Sequence, residues 1–158
     1  MHARELLADT TAYLSPRLVL DGLPADLADR RPPGAPHSIA EIVAHMAFWQ
    51  AWFHGRCDGT AGPMPASAAI GWVVPRTGQW DAIRRRFLDG LDGLVALGEA
   101  ADHGRRLDPP IEFPPLARYS VGDVFVHVGA HNAHHLGQVV LLRQLLGAWP
   151  PPAGSWTW

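Results

Sequence analysis

The chain has 158 residues, 47% of them hydrophobic and 18% charged, the profile of an ordinary globular protein. Its net charge of −2 excludes broad electrostatic attraction to nucleic acid or an anionic membrane. All 13 basic side chains are Arg, which excludes a Schiff-base or general-base lysine.

The length corresponds to one domain, which buries roughly two-thirds of the surface its unfolded form exposes. The single cysteine, Cys57, has no partner for an internal disulfide, so a reducing compartment is expected. The opening MHARELLADTTAYLSPRLVL is amphipathic and lacks the basic and uninterrupted apolar regions of a signal peptide. No uncharged apolar run reads as a membrane span, and a soluble cytoplasmic protein is expected.

Leu6, Leu7, Tyr13, Leu14, Leu18 and Val19 predict a helix over residues 2–21, kinked or restarted at Pro16. GLPADLADRRPPGAP then reads as a linker without periodicity. Ser38-Ile39-Ala40-Glu41 is a capping box that opens a second helix, with Gly55 as its expected stop. Residues 56–78 form an irregular stretch anchored by Trp72, Val73 and Val74, and loops of that length often cover sites.

A third helix is predicted over about residues 79–101. Its buried face holds Trp80, Ile83, Phe87, Leu91, Leu94, Val95 and Leu97, and Arg84, Arg85 and Arg86 lie mostly outside. A second Pro-rich loop covers residues 102–118. Ser120 caps the last helix, Asp123 favours the positive end of its dipole, and the helix ends near Gly147. No strand is expected beyond a short extended piece at IGWVVP. The pattern is an all-α four-helix bundle with long loops.

The last helix holds His127, His131, His134 and His135 among Val and Leu. With His131 at angle zero, His127 falls at about −40°, His135 at about +40° and Gln138 at about −20°. Val124, Val128, Leu142, Leu145 and Leu146 share that face, and His134 lies nearer its edge. His131 and His135 therefore stand about 6 Å apart along the axis, close enough to chelate one ion. Hydrogen-bonded core histidines are the bland alternative. Several imidazoles in one apolar seam leave many polar atoms to satisfy, and a metal satisfies several together. Imidazole ligands suit Zn, Ni, Cu or Fe(II). A zinc-protease motif is not met, because Asn132 stands where its Glu is required.

A chelating pair needs a third ligand. His45 lies on the buried face of the second helix among Ile42, Trp49 and Trp52, and opposite a two-His chelate it is the natural candidate. Glu41, one turn earlier, is placed to approach the ion or orient a ligand ring, although its capping role already explains it.

Two segments, HSIAEIVAHMAFW and SVGDVFVHVGAHNAHHLGQVVLLRQLLG, carry a resemblance that extends over nearly the whole chain. The chain resembles the DinB-like (YfiT-like) superfamily of metal-dependent four-helix-bundle proteins. The resemblance implies that His45, His131 and His135 ligate a divalent ion, with Zn or Ni expected, and leave one position open. Gly137-Gln138 matches as well, with Gly137 expected to allow close helix approach and Gln138 to hydrogen-bond within the site.

Some members of the superfamily are S-transferases or isomerases that use a low-molecular-weight thiol such as mycothiol or bacillithiol. The resemblance implies the same chemistry here, with Gln138 and the loop residue Trp72 as candidates to contact the cofactor. Packing against the bundle is the other reading of Trp72. A metal-dependent hydrolase is the alternative, and His127 and Glu41 are its candidate acid–base residues. His127 is expected beside the ligands rather than among them, and His54 and His103 are expected on the surface without partners. A non-catalytic, metal-binding stress-response homodimer is the third reading, with Trp149, Trp156 and Trp158 at the contact. The short Arg clusters are explained by solvation and suggest no nucleic-acid partner.

Overall fold

The computed structural model describes residues 2–9 and 12–155. Among them are six α-helices: α1 Ala3–Leu7, α2 Pro16–Leu20, α3 Ala25–Asp29, α4 Ile39–Asp58, α5 Trp80–Ala100 and α6 Val121–Leu145. Short 3-10 turns at Ala68–Gly71 and Pro114–Leu116 interrupt the two long loops. The fold is all-α. Its only extended pairing among the described residues is one isolated bridge between Arg106 and Ser120.

The three long helices supply the frame, with α4 packed against both α5 and α6. The starts of α4 and α6 follow from local chemistry. Ser38 Oγ accepts the Glu41 amide at 3.2 Å while the Glu41 carboxylate accepts the Ser38 amide at 2.7 Å. The same reciprocal pair joins Ser120 and Asp123 at the start of α6. Each pairing satisfies two amides that a helix start otherwise leaves open.

α4 runs past Gly55 to Asp58, and Gly59 is the residue that stops it. Gly59 adopts φ 82°, the left-handed cap geometry that glycine enters without steric cost, and its amide donates to the Gly55 carbonyl.

The first helix of the expected bundle is not continuous. α1 and α2 are separate five-residue pieces, because Pro16 opens α2 at the first helical position and Ser15 before it is extended. The segment expected to be a bare linker contains α3, which begins directly after Pro24.

Two apolar clusters fill the interior. One gathers Trp49, Phe53, Leu91, Leu94, Phe125 and Val128, and the other Val43, Met46, Trp80, Phe87, Leu136 and Val139. The short helices are tied down by buried polar groups. The Trp80 indole donates to the Leu23 carbonyl at 2.9 Å. Arg143, 1% exposed, donates to the carbonyls of Ala148, Val19 and Asp21, fastening the end of α6 to α2. Gly129 on α6 lets α1 approach, since a Cβ there would meet the Leu6 side chain at 3.0 Å.

Gly137 does not serve the close approach expected of it: it is exposed, and a Cβ there meets nothing within 4 Å. Trp149 folds back over the chain, with the Arg143 guanidinium 5.8 Å from its ring centroid. Trp156 and Trp158 lie outside the described residues. No helix among the described residues is long and apolar enough to cross a membrane.

Candidate metal centre

α4 and α6 bring three imidazoles together. One ring nitrogen from each of His45, His131 and His135 lies within 4.8 Å of the other two. The Nε2 atoms of His45 and His131 are 3.2 Å apart. The His131 and His135 rings stand edge to face with centroids 4.5 Å apart, and those of His45 and His135 are 4.9 Å apart. His45 and His135 are buried and His131 is half-buried.

Burial first, then repulsion from neighbouring imidazoles, drives His45 down to about 4 and His131 to about 3. His135 is lowered mainly by burial. The three rings are therefore neutral at pH 7, as metal ligation requires.

Each ring also has a neighbour that bears on its orientation. Gln138 Oε1 accepts from His135 Nδ1 at 2.8 Å, which leaves the His135 Nε2 lone pair free. Gln138 also donates to His134 Nε2 at 3.3 Å, so the exposed His134 supports the glutamine from outside. The Gly71 backbone favours a proton on His45 without completing a hydrogen bond, and Nδ1 of His45 remains a buried nitrogen without a bond made to it. Asn132, buried beside His131 in sequence, donates to Gln50 Oε1 at 3.1 Å, and Gln50 donates to the Phe87 carbonyl at 2.8 Å. That polar bridge spans α6, α4 and α5 at the level of the histidines.

The donor set fits a divalent transition metal. Tetrahedral ligation at about 2.0–2.1 Å separates two ligand nitrogens by about 3.3 Å, close to the gap between His45 and His131. Three neutral nitrogens on two helices leave a fourth position for an exogenous group.

The remaining sequence candidates stand around this cluster. Trp72, from the long loop, lies flat on His45 with ring centroids 3.9 Å apart and planes 10° from parallel. His37 stacks on the opposite face of Trp72 at 3.7 Å. The resulting three-ring stack was not legible in the sequence, because His37 precedes the cap residue Ser38 and follows no helical spacing. Gly71 is a second addition. A Cβ there would run into the Trp49 indole nitrogen and stand 3.1 Å from His45 Nδ1.

Glu41 is 4% exposed, its carboxylate engaged by the Ser38 amide and by both Nε and an NH2 of Arg31. Burial pushes its pKa up, but the Arg31 and Ser38 hydrogen bonds and the Arg31 charge outweigh that and hold it low. His127 lies outside the triad, against Phe53 at 4.6 Å between centroids, with the Tyr119 hydroxyl 3.1 Å from its Nδ1. Burial lowers its pKa as well. His54 and His103 have partners after all. His54 Nδ1 is 3.3 Å from Asp58, and His103 Nε2 is 2.6 Å from the Gly98 carbonyl.

Beside the triad opens a cleft of about 660 Å³, with Trp72, His135 and Gln138 in its wall. The chain has no significant match among curated proteins or among solved structures. The family model of the DinB superfamily matches residues 7–139, which span the triad. The chain belongs to the DinB superfamily.

Proposed function

We propose that the protein is a metal-dependent enzyme of the thiol S-transferase or isomerase type. The observation that carries this reading is a triad of histidine ring nitrogens within 4.8 Å of one another, one member of which, His135, lines an open cleft. His45, His131 and His135 would hold a divalent ion, with Zn or Ni best suited to the nitrogen ligands. A bound ion supplies Lewis acidity at neutral pH, acidifying a thiol or water that takes the open position.

The chain's own residues set the conditions for that chemistry. Gln138 fixes the tautomer of His135, Trp72 shields one face of His45 from water, and the apolar cleft wall lowers the local dielectric. A low-molecular-weight thiol of the mycothiol or bacillithiol kind is the proposed cosubstrate, entering along the cleft beside Gln138 and Trp72. The hydrolase alternative needs a free general base near the ion. Glu41 is committed to Arg31 and Ser38, and His127 is engaged by Tyr119 and Phe53, which supports the thiol reading over the hydrolase. A homodimer remains part of the proposal, to be read by sedimentation.

The test is spectroscopic. Cobalt-substituted protein titrated with small thiols is expected to develop a sulfur-to-metal charge-transfer band, absent in His131→Ala. Cobalt bound at the triad and unperturbed by every thiol tried would remove the thiol reading and return the hydrolase to first place.

A further inference from the structure

The cleft beside the triad has a composition that bears on what enters it. Its lining includes Ile42, Leu141, Leu142 and Leu145 and the Pro33–Pro36 segment. Apart from imidazoles, no ionisable side chain is among the described residues that line it. Leu141 and Leu145 are 55% and 62% exposed, whereas the other two leucines of the helix, Leu136 and Leu142, are buried. Besides the Trp72 indole, the polar side chains of the lining are His37, His134, His135 and Gln138, and the last three are joined by hydrogen bonds one to two turns before Leu141 and Leu145 on α6.

We propose that this cleft is the binding site for an uncharged, elongated apolar small molecule. Its reacting polar end faces His135 and Gln138, and its aliphatic or aromatic body lies along Leu141 and Leu145. The volume is that of a small-molecule site. An anionic group on the body of the ligand would lose its hydration with no cation in the lining to replace it. An apolar body gains by covering two leucines that water now touches. The assignment rests on the reading above only for the identity of the reacting end.

The experiment uses zinc-loaded full-length protein and four probes, with binding followed by calorimetry and ligand-observed NMR. Acetohydroxamate reports the metal-binding head alone. Octanohydroxamate adds an apolar body, and the monohydroxamate of suberic acid places a carboxylate at the far end of a body of the same length. Octanamide lacks a strong metal-binding head and reads the cleft by itself.

Octanohydroxamate is expected to bind at least about tenfold more tightly than acetohydroxamate, from burial of its methylenes. The suberic probe is expected to lose most of that gain. Leu145→Glu, a change at an exposed position, is expected to abolish binding of octanamide while zinc content stays at the wild-type value. Octanohydroxamate no tighter than acetohydroxamate, or a suberic probe equal to it, overturns the proposal. Octanamide binding that is absent from wild type, or unaffected in Leu145→Glu, overturns it too. If neither hydroxamate binds zinc-loaded protein more tightly than zinc-free protein but octanamide binds as described, the metal-site reading fails and the cleft assignment stands.

Discussion

Gln138 accepts a hydrogen bond from Nδ1 of His135, one helical turn away, and so leaves Nε2 as the nitrogen of that ring with a free lone pair. Groups that orient a ligand ring are worth roughly 10–100-fold in metal affinity. Gln138→Ala is therefore expected to weaken zinc binding by about that factor in a chelator competition. Gln138→Glu, which keeps an acceptor oxygen at the same reach, is expected to retain it. Equal affinity in the alanine variant would show that the ring orients itself.

Removal of a ligand should act on stability as well as on stoichiometry. The three histidines come from helices separated by the whole of α5, so the site exists only in the folded chain. Zinc is expected at about one ion per chain and to raise the melting temperature, by about 2.7 kcal/mol of stabilisation at a hundredfold excess over its dissociation constant. EDTA should reverse that gain in wild type and leave the melting temperature of His131→Ala unchanged.

The metal-free protein should be sensitive to acid in a specific window. His45 at about 4 and His131 at about 3 lie below the 6.5 of an unfolded histidine. Below pH 6.5 the unfolded chain therefore binds more protons than the native one, and stability falls with pH. The contribution is fully present above about pH 6.5 and disappears as pH drops through 4 and 3. Urea midpoints measured from pH 7 to pH 4 are expected to decline, and to decline less in His131→Ala. A midpoint that stays level in wild type across that range counts against the buried neutral triad.

Glu41 separates a structural role from a chemical one. Ser38→Ala removes one half of the capping box and is expected to cost about 1 kcal/mol of stability. Glu41→Gln loses the Arg31 ion pair and is expected to lower the urea midpoint, with zinc stoichiometry and the pH profile of any turnover unchanged. A shift in that profile would instead make Glu41 an acid–base group.

Gly71→Ala probes the loop that carries Trp72. The added methyl crowds Trp49 and His45, and overpacking of this kind costs about 1–3 kcal/mol. Zinc affinity is expected to fall on the order of tenfold, because the displaced ring is one of the three proposed ligands. Unchanged affinity with lowered stability would confine Gly71 to packing.

Local rules made α4, α5 and α6 legible, because their apolar residues recur at helical spacing and Ser38 and Ser120 announce two of their starts. The triad was legible for a related reason. Two histidines four apart on a buried face leave few ways to satisfy their nitrogens, and His45 was the one buried histidine on a facing helix. The N-terminal third was less legible. Five-residue helices such as α1, α2 and α3 are too short to show a period, and their positions depend on anchors such as Arg143 and Trp80. The His37–Trp72–His45 stack was hidden because it joins a cap-flanking residue to a loop residue 35 positions away through tertiary packing alone.

That stack gives the two halves of the site a common wall. Trp72 touches His45 with one face and His37 with the other, and both Trp72 and His37 belong to the cleft wall. The His45 ring and the cleft wall thus share one side chain, so a change in the angle of the ring bears on the wall through Trp72. An ion that fixes the ring also sets the shape offered to the incoming molecule. By thermodynamic reciprocity, whatever factor the ion imposes on binding in the cleft, a molecule seated there imposes on the hold on the ion, a coupling that zinc titrations with and without octanamide would measure directly.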